Sequence, residues 1–139
     1  MIRKQLATRA PVVESEKITI NLGYVDLGRI DLLVTDGFYS NRTDLIRTAI
    51  RNQLDRHRDA TEKSIIKRRV EVGVARYTGA HLEAVRAAGE MLDIRVLGLV
   101  VVENEVSARL ATDTISSLQV LGAFHASPAV KAALRDRIR

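Results

Sequence analysis

Glu16-Lys17-Ile18-Thr19-Ile20-Asn21-Leu22 alternates polar and apolar side chains at every position, with Ile18, Thr19 and Ile20 β-branched. That is the period of a strand with one buried face. Gly23 ends it, and the period then changes. From Asp26 to Val34 the apolar residues Leu27, Ile30, Leu33 and Val34 recur at three- and four-residue spacing, which predicts one face of a short helix. Asp36-Gly37 marks a turn. A second helix is expected to open at Asn41, a good capping residue, with Asp44 three positions on to favour the positive helix end. Leu45, Ile46, Ala49, Ile50 and Leu54 form its apolar stripe, and Arg42, Arg47 and Arg51 lie off that stripe. The order is strand, helix, helix.

A segment of this size is close to the limit of about 40 residues below which a single core is insufficient. The lone strand offers a remedy, because its unpaired edge invites a second copy of the chain. Two antiparallel copies form a ribbon whose Ile18, Ile20 and Leu22 face the helices, leaving Lys17, Thr19 and Asn21 on the other face twice over. A two-stranded ribbon fits the DNA major groove, and those three side chains suit base edges: Lys donates to guanine, Asn bridges adenine, and Thr donates, accepts or touches a thymine methyl. Charge points the same way. Residues 1–69 hold 14 Lys and Arg against 9 Asp and Glu, whereas residues 70–139 hold 8 against 8, so the whole excess of +5 lies in the first half.

The run from Glu16 to Leu22, the helix through Leu33, and Gly37-Phe38-Tyr39-Ser40-Asn41-Arg42-Thr43-Asp44-Leu45-Ile46-Arg47 together closely resemble the ribbon-helix-helix family of bacterial repressors, antitoxins and plasmid copy-control proteins. The resemblance covers about a third of the chain. It implies base reading by Lys17, Thr19 and Asn21, and a phosphate grip at the start of the second helix by Ser40, Asn41, Arg42 and Thr43. Free amides and hydroxyls at a helix N-terminus suit an anion independently of the family. Gly23-Tyr24 departs from the pattern, since many members carry a proline near that junction.

Outside this module, residues 1–15 have no period, contain Pro11, and read as a flexible basic arm whose Arg3, Lys4 and Arg9 would touch DNA. Residues 59–69 read either as a charged connector or as an extension of the second helix. Beyond them the chain repeats with a period of 24 residues. Ile94-Arg95-Val96-Leu97-Gly98-Leu99 aligns with Leu118-Gln119-Val120-Leu121-Gly122-Ala123, and Val70-Glu71-Val72 is a weaker copy 24 residues before Ile94-Arg95-Val96. Each unit starts as a strand and continues as a helix, expected over 80–92, 106–117 and 128–138, the last opened by Ser127-Pro128. The expected architecture is α+β. A ribbon-helix-helix intertwined dimer spans 16–58, and a small α/β module of strand-helix repeats, serving oligomerisation or an effector, spans 70–139.

Several function classes are disfavoured. Without cysteine there is no disulfide framework, thiolate metal site or cysteine nucleophile. His57, His81 and His125 lie at no ligand spacing, which argues against the metal sensing of nickel-responsive repressors, and no cofactor is expected. Glu103-Asn104-Glu105 and Ser116-Ser117 are the only raw material for catalysis, with no positioned base, so an enzyme is not expected. No signal peptide is discernible, and the apolar run Ile94–Val102 falls far short of the ~20 residues that span a bilayer. The expectation is a cytoplasmic, nucleoid-associated repressor that binds double-stranded DNA as an obligate homodimer, or as a tetramer or larger through 70–139. Alternatives are an antitoxin with a toxin-binding C-terminal part, or a plasmid-partition or DNA-organising protein.

Overall fold

A computed structural model describes residues 15–139. The chain divides into two compact units, 17–68 and 69–139. The arm residues Arg3, Lys4 and Arg9 lie outside the described residues.

In the first unit, residues 17–23 carry no assigned helix or strand in the single chain, so the strand expected over 17–22 has no ladder partner here. Helix α1 (Tyr24–Thr35) follows, begun two residues earlier than the apolar period requires, with Gly23 as a cap that has no side chain to bond the helix end. Helix α2 (Arg42–Arg56) starts where Asn41 predicts. The charged segment whose state the sequence left open is helical: α3 (Arg58–Arg68) resumes after His57. Thr61 Oγ1 donates to the His57 carbonyl at 2.9 Å, satisfying an acceptor at the break. Arg69, at φ 53°, ends α3 in the left-handed region that stops helices.

The second unit is a three-stranded parallel sheet with the strand order β1 (Glu71–Tyr77), β2 (Leu92–Val102), β3 (Ile115–His125). Helix α4 (Gly79–Ala87) follows β1, α5 (Ala108–Thr114) follows β2, and α6 (Pro128–Ala133) follows β3. Right-handed crossovers through α4 and α5 put those helices on one face of the sheet, and α6 joins them there, since Val130 shares their core cluster. The core lies between: Leu82, Leu110, Ala111, Val130 and Leu134 from the helical side pack with Ile94, Val96, Val100, Val102, Ile115 and Leu118 from the sheet. Thr78, Ser107 and Ser127 each accept an amide hydrogen bond three residues on, so every α-helix in this unit has a side-chain cap.

Four expectations change. The helix expected over 106–117 stops at Thr114, because Ile115 and Leu118 are buried in the sheet side of the core and the chain enters β3 without a loop. That expected over 80–92 stops at Ala87, and the one over 128–138 at Ala133, followed by a 3-10 turn at Arg135–Arg137. The ladder joins Val96 to Val120, an offset of 24, but joins Glu71 to Val96, an offset of 25. What aligns the weaker copy is glycine. Gly73, Gly98 and Gly122 form a row across the sheet with φ of 135°, 141° and 131°. A Cβ on Gly98 would stand 2.1 Å from the Gly73 carbonyl oxygen, and one on Gly122 would stand 2.1 Å from that of Gly98. Only glycine permits both that torsion and that approach.

Candidate nucleic-acid interface

Lys17, Thr19 and Asn21 are exposed, and so are the alternate residues Ile18, Ile20 and Leu22. Ile18 is 74% and Ile20 59% accessible in the single chain. An apolar row that sits in water at every second position lacks the surface it was built to cover. The helices agree. No residue of α1, α2 or α3 is buried, although Leu27, Ile30, Val34, Leu45 and Ile46 are partly buried. The unit thus has secondary structure and caps but no core of its own.

The start of α2 is held by reciprocal bonds. Asn41 Oδ1 accepts from the Asp44 amide at 2.8 Å, and Asp44 Oδ2 accepts from the Ser40 amide at 3.0 Å. The first bond is an ordinary N-cap, and the second reaches one residue further back than a capping box does, to the amide before the cap. Together they fix Ser40, Asn41, Arg42 and Thr43 at one exposed helix end, where the amides of the first turn have no partner within the helix. The structure therefore brings the four proposed phosphate residues together.

Arg42 has a further engagement that sequence reasoning missed. Its Nε and a terminal nitrogen donate to the two carboxylate oxygens of Asp31, both at 2.7 Å, tying α2 to α1. The Arg42 hydrogen bond holds the Asp31 carboxyl below the usual carboxylate range, slightly opposed by desolvation, and the same pair raises the Arg42 guanidinium. Both side chains remain about half exposed, so the pair is a geometric clamp more than a source of stability. No spacing rule links residues eleven apart on different helices. Asp44, whose position favours the helix start by charge, also holds the Ser40 amide, a bond local enough to be legible in the sequence.

The other candidates do not converge. His81 stacks on Tyr77 with ring centroids 5.6 Å apart, and His57 lies 3.3 Å from the Gln53 amide nitrogen. Among the described residues no three His, Asp or Glu side chains are grouped to hold a metal. Ser117 hydrogen-bonds Asp93, and with Arg95 it holds that carboxyl below its ordinary range. Among the described residues no helix is long and apolar enough to cross a membrane.

Residues 17–22, with alternate apolar side chains exposed, are followed by two helices that contain no buried residue, the second with a capped and exposed N-terminus. The model of the Ribbon-Helix-Helix transcriptional regulator family matches residues 13–131, and the chain belongs to that family. The match runs through the C-terminal unit as well as the DNA-binding module. No significant match is found among curated proteins or among solved structures. Membership makes this a DNA-binding transcriptional regulator of a typically dimeric kind.

Proposed function

We propose that the protein is a sequence-specific repressor, without enzymatic activity, that reads the major groove with an antiparallel ribbon contributed by two chains. The observation that carries this reading is the exposed alternation of residues 17–22. Covering Ile18, Ile20 and Leu22 with a second chain presents Lys17, Thr19 and Asn21 outward as a regular array. Six such side chains, three from each strand, would supply direct readout of one half-site. The amides and hydroxyls around Ser40, Asn41 and Thr43, with Arg42, would hold flanking phosphates and set the register. Arg3, Lys4 and Arg9 would add sequence-independent affinity. The charge-balanced C-terminal unit would join dimers on repeated half-sites.

A folded sheet with a buried core favours this reading over an antitoxin, whose toxin-binding tail is expected to fold only on its partner. The test is genome-wide mapping of bound sites, followed by affinity for the recovered site and for random DNA. Changing Lys17, Thr19 and Asn21 together to Ala should abolish most of the discrimination while leaving the melting curve in place. Undiminished discrimination would refute readout by the ribbon.

A further inference from the structure

Within the C-terminal unit, Glu16 reaches the face of the sheet turned away from its helices only at its border, where its carboxylate lies 2.7 Å from His125 Nε2, and the apolar centre of that face has no cover among the described residues. The ladder sorts the residues of that face into levels. Val72, Leu97 and Leu121 form one, Val74, Leu99 and Ala123 the next, and both are wholly apolar. Arg76, Val101 and His125 border them at one end, and Arg95 and Gln119 at the other. Val72 is 66%, Val74 46% and Leu121 44% accessible, while Leu99, flanked by Val74 and Ala123, is only 8% accessible without touching the helical core. Parallel sheets are normally covered on both faces, because crossovers and partners leave neither one wet. An apolar centre with a polar border is also the anatomy of an interface.

We propose that this face packs on the same face of a second copy of the chain, forming a two-layer sandwich of sheets. This deepens the assembly role given above to the C-terminal unit. Charge argues for a like surface over any polyanion. Arg76 is paired with Glu103 at 3.0 Å and Arg95 with Asp93 at 2.7 Å, so the two arginines of the face are neutralised within the chain and no like-charge clash opposes self-packing. Area argues for a tethered partner. Three strands about 4.8 Å apart, over the length of these levels, cover on the order of 400 Å² per copy, or about 800 Å² in all, below the roughly 1,200 Å² of a stable free-standing interface. A second copy is nonetheless always at hand. Only two residues separate α3 from β1, so any dimer formed by residues 17–68 carries two of these faces at an effective concentration in the millimolar range.

The chain has no cysteine, which makes site-directed cross-linking of the full-length protein clean. Val74→Cys and Leu121→Cys variants would be treated, without DNA, with a bismaleimide spanning the ~10 Å between packed sheets. The reference is Glu90→Cys, exposed on the helical side. Face variants should form covalent pairs at least tenfold faster than the reference, and adding Val74→Asp to the Leu121→Cys chain should erase that advantage. Val74 is already half exposed, so Val74→Asp should leave the circular dichroism of the unit unchanged; Val74→Ser serves as a milder second variant. Pairs found within dimers or within tetramers both support the proposal. Equal rates at Val74, Leu121 and Glu90 would overturn it, as would a Val74→Asp chain that cross-links at full speed. Since no DNA is present, these outcomes leave the base-reading proposal standing, and failure of that proposal would not slow the cross-linking.

Discussion

Replacing Gly98 by alanine should cost far more than the same replacement at Gly73, its neighbour in the glycine row. Two separate terms contribute. The residue sits at φ 141°, and holding an L-residue in so sparsely populated a region costs about 1–3 kcal/mol. The new Cβ would also lie 2.1 Å from the Gly73 oxygen, roughly 1.5 Å inside van der Waals separation, and the obstacle is backbone rather than a side chain that can swing away. Strand β1 must then move, loosening ladder bonds worth about 0.5–1.5 kcal/mol each. Together the loss is about 3–6 kcal/mol, against a typical domain stability of roughly 5–15 kcal/mol. Gly73 supplies the control. Its φ is 135°, but a Cβ there meets nothing within 4 Å, so Gly73→Ala should cost the torsional part alone, about 1–3 kcal/mol. Urea unfolding followed by circular dichroism gives the magnitudes, and amide exchange across Leu92–Val102 assigns them to the sheet. Equal losses for the two variants would show that the close approach across the glycine row has no energetic weight.

Within the N-terminal unit, Ile20→Ala should destabilise the proposed dimer by about 2–5 kcal/mol, since it would remove methylenes from the core that two chains would share. Asn21→Ala should leave melting nearly unchanged and reduce discrimination by roughly 1–3 kcal/mol for each bidentate base pairing removed; a melting temperature lowered as much by Asn21→Ala as by Ile20→Ala would reverse the assignment of faces. For Arg42→Ala, the logarithmic salt dependence of binding should become shallower by about one unit for each DNA phosphate no longer neutralised. An unchanged slope would mean that Arg42 serves only Asp31. The Asp31 carboxyl is held below its unfolded value, so the contribution of its pair with Arg42 is present above about pH 4 and disappears as pH falls through the lowered folded value. Carboxyl NMR titration should therefore show Asp31 protonating at lower pH in the wild type than in an Arg42→Ala chain, and coincident titrations would exclude the clamp in solution.

Much of the fold was legible because its signals are local. The caps at Asn41 and Ser127 depend only on a side chain reaching an amide three residues away. The 24-residue period likewise recovered the β2–β3 register, for identical supersecondary units stacked side by side must bring equivalent positions level. Tertiary structure decided what depends on residues remote in sequence. Burial of Ile115 and Leu118 overrode a plausible helical continuation, and β1 slid one residue so that Gly73 could meet Gly98, a requirement of backbone packing that hydrophobic periodicity does not encode. The clamp between Asp31 and Arg42 exists only once two helices fold together. The apolar face opposite the helices exists only because the two crossovers and the helix after the last strand all pack on the same side, a consequence of chain chirality acting across the whole sheet that no single segment carries.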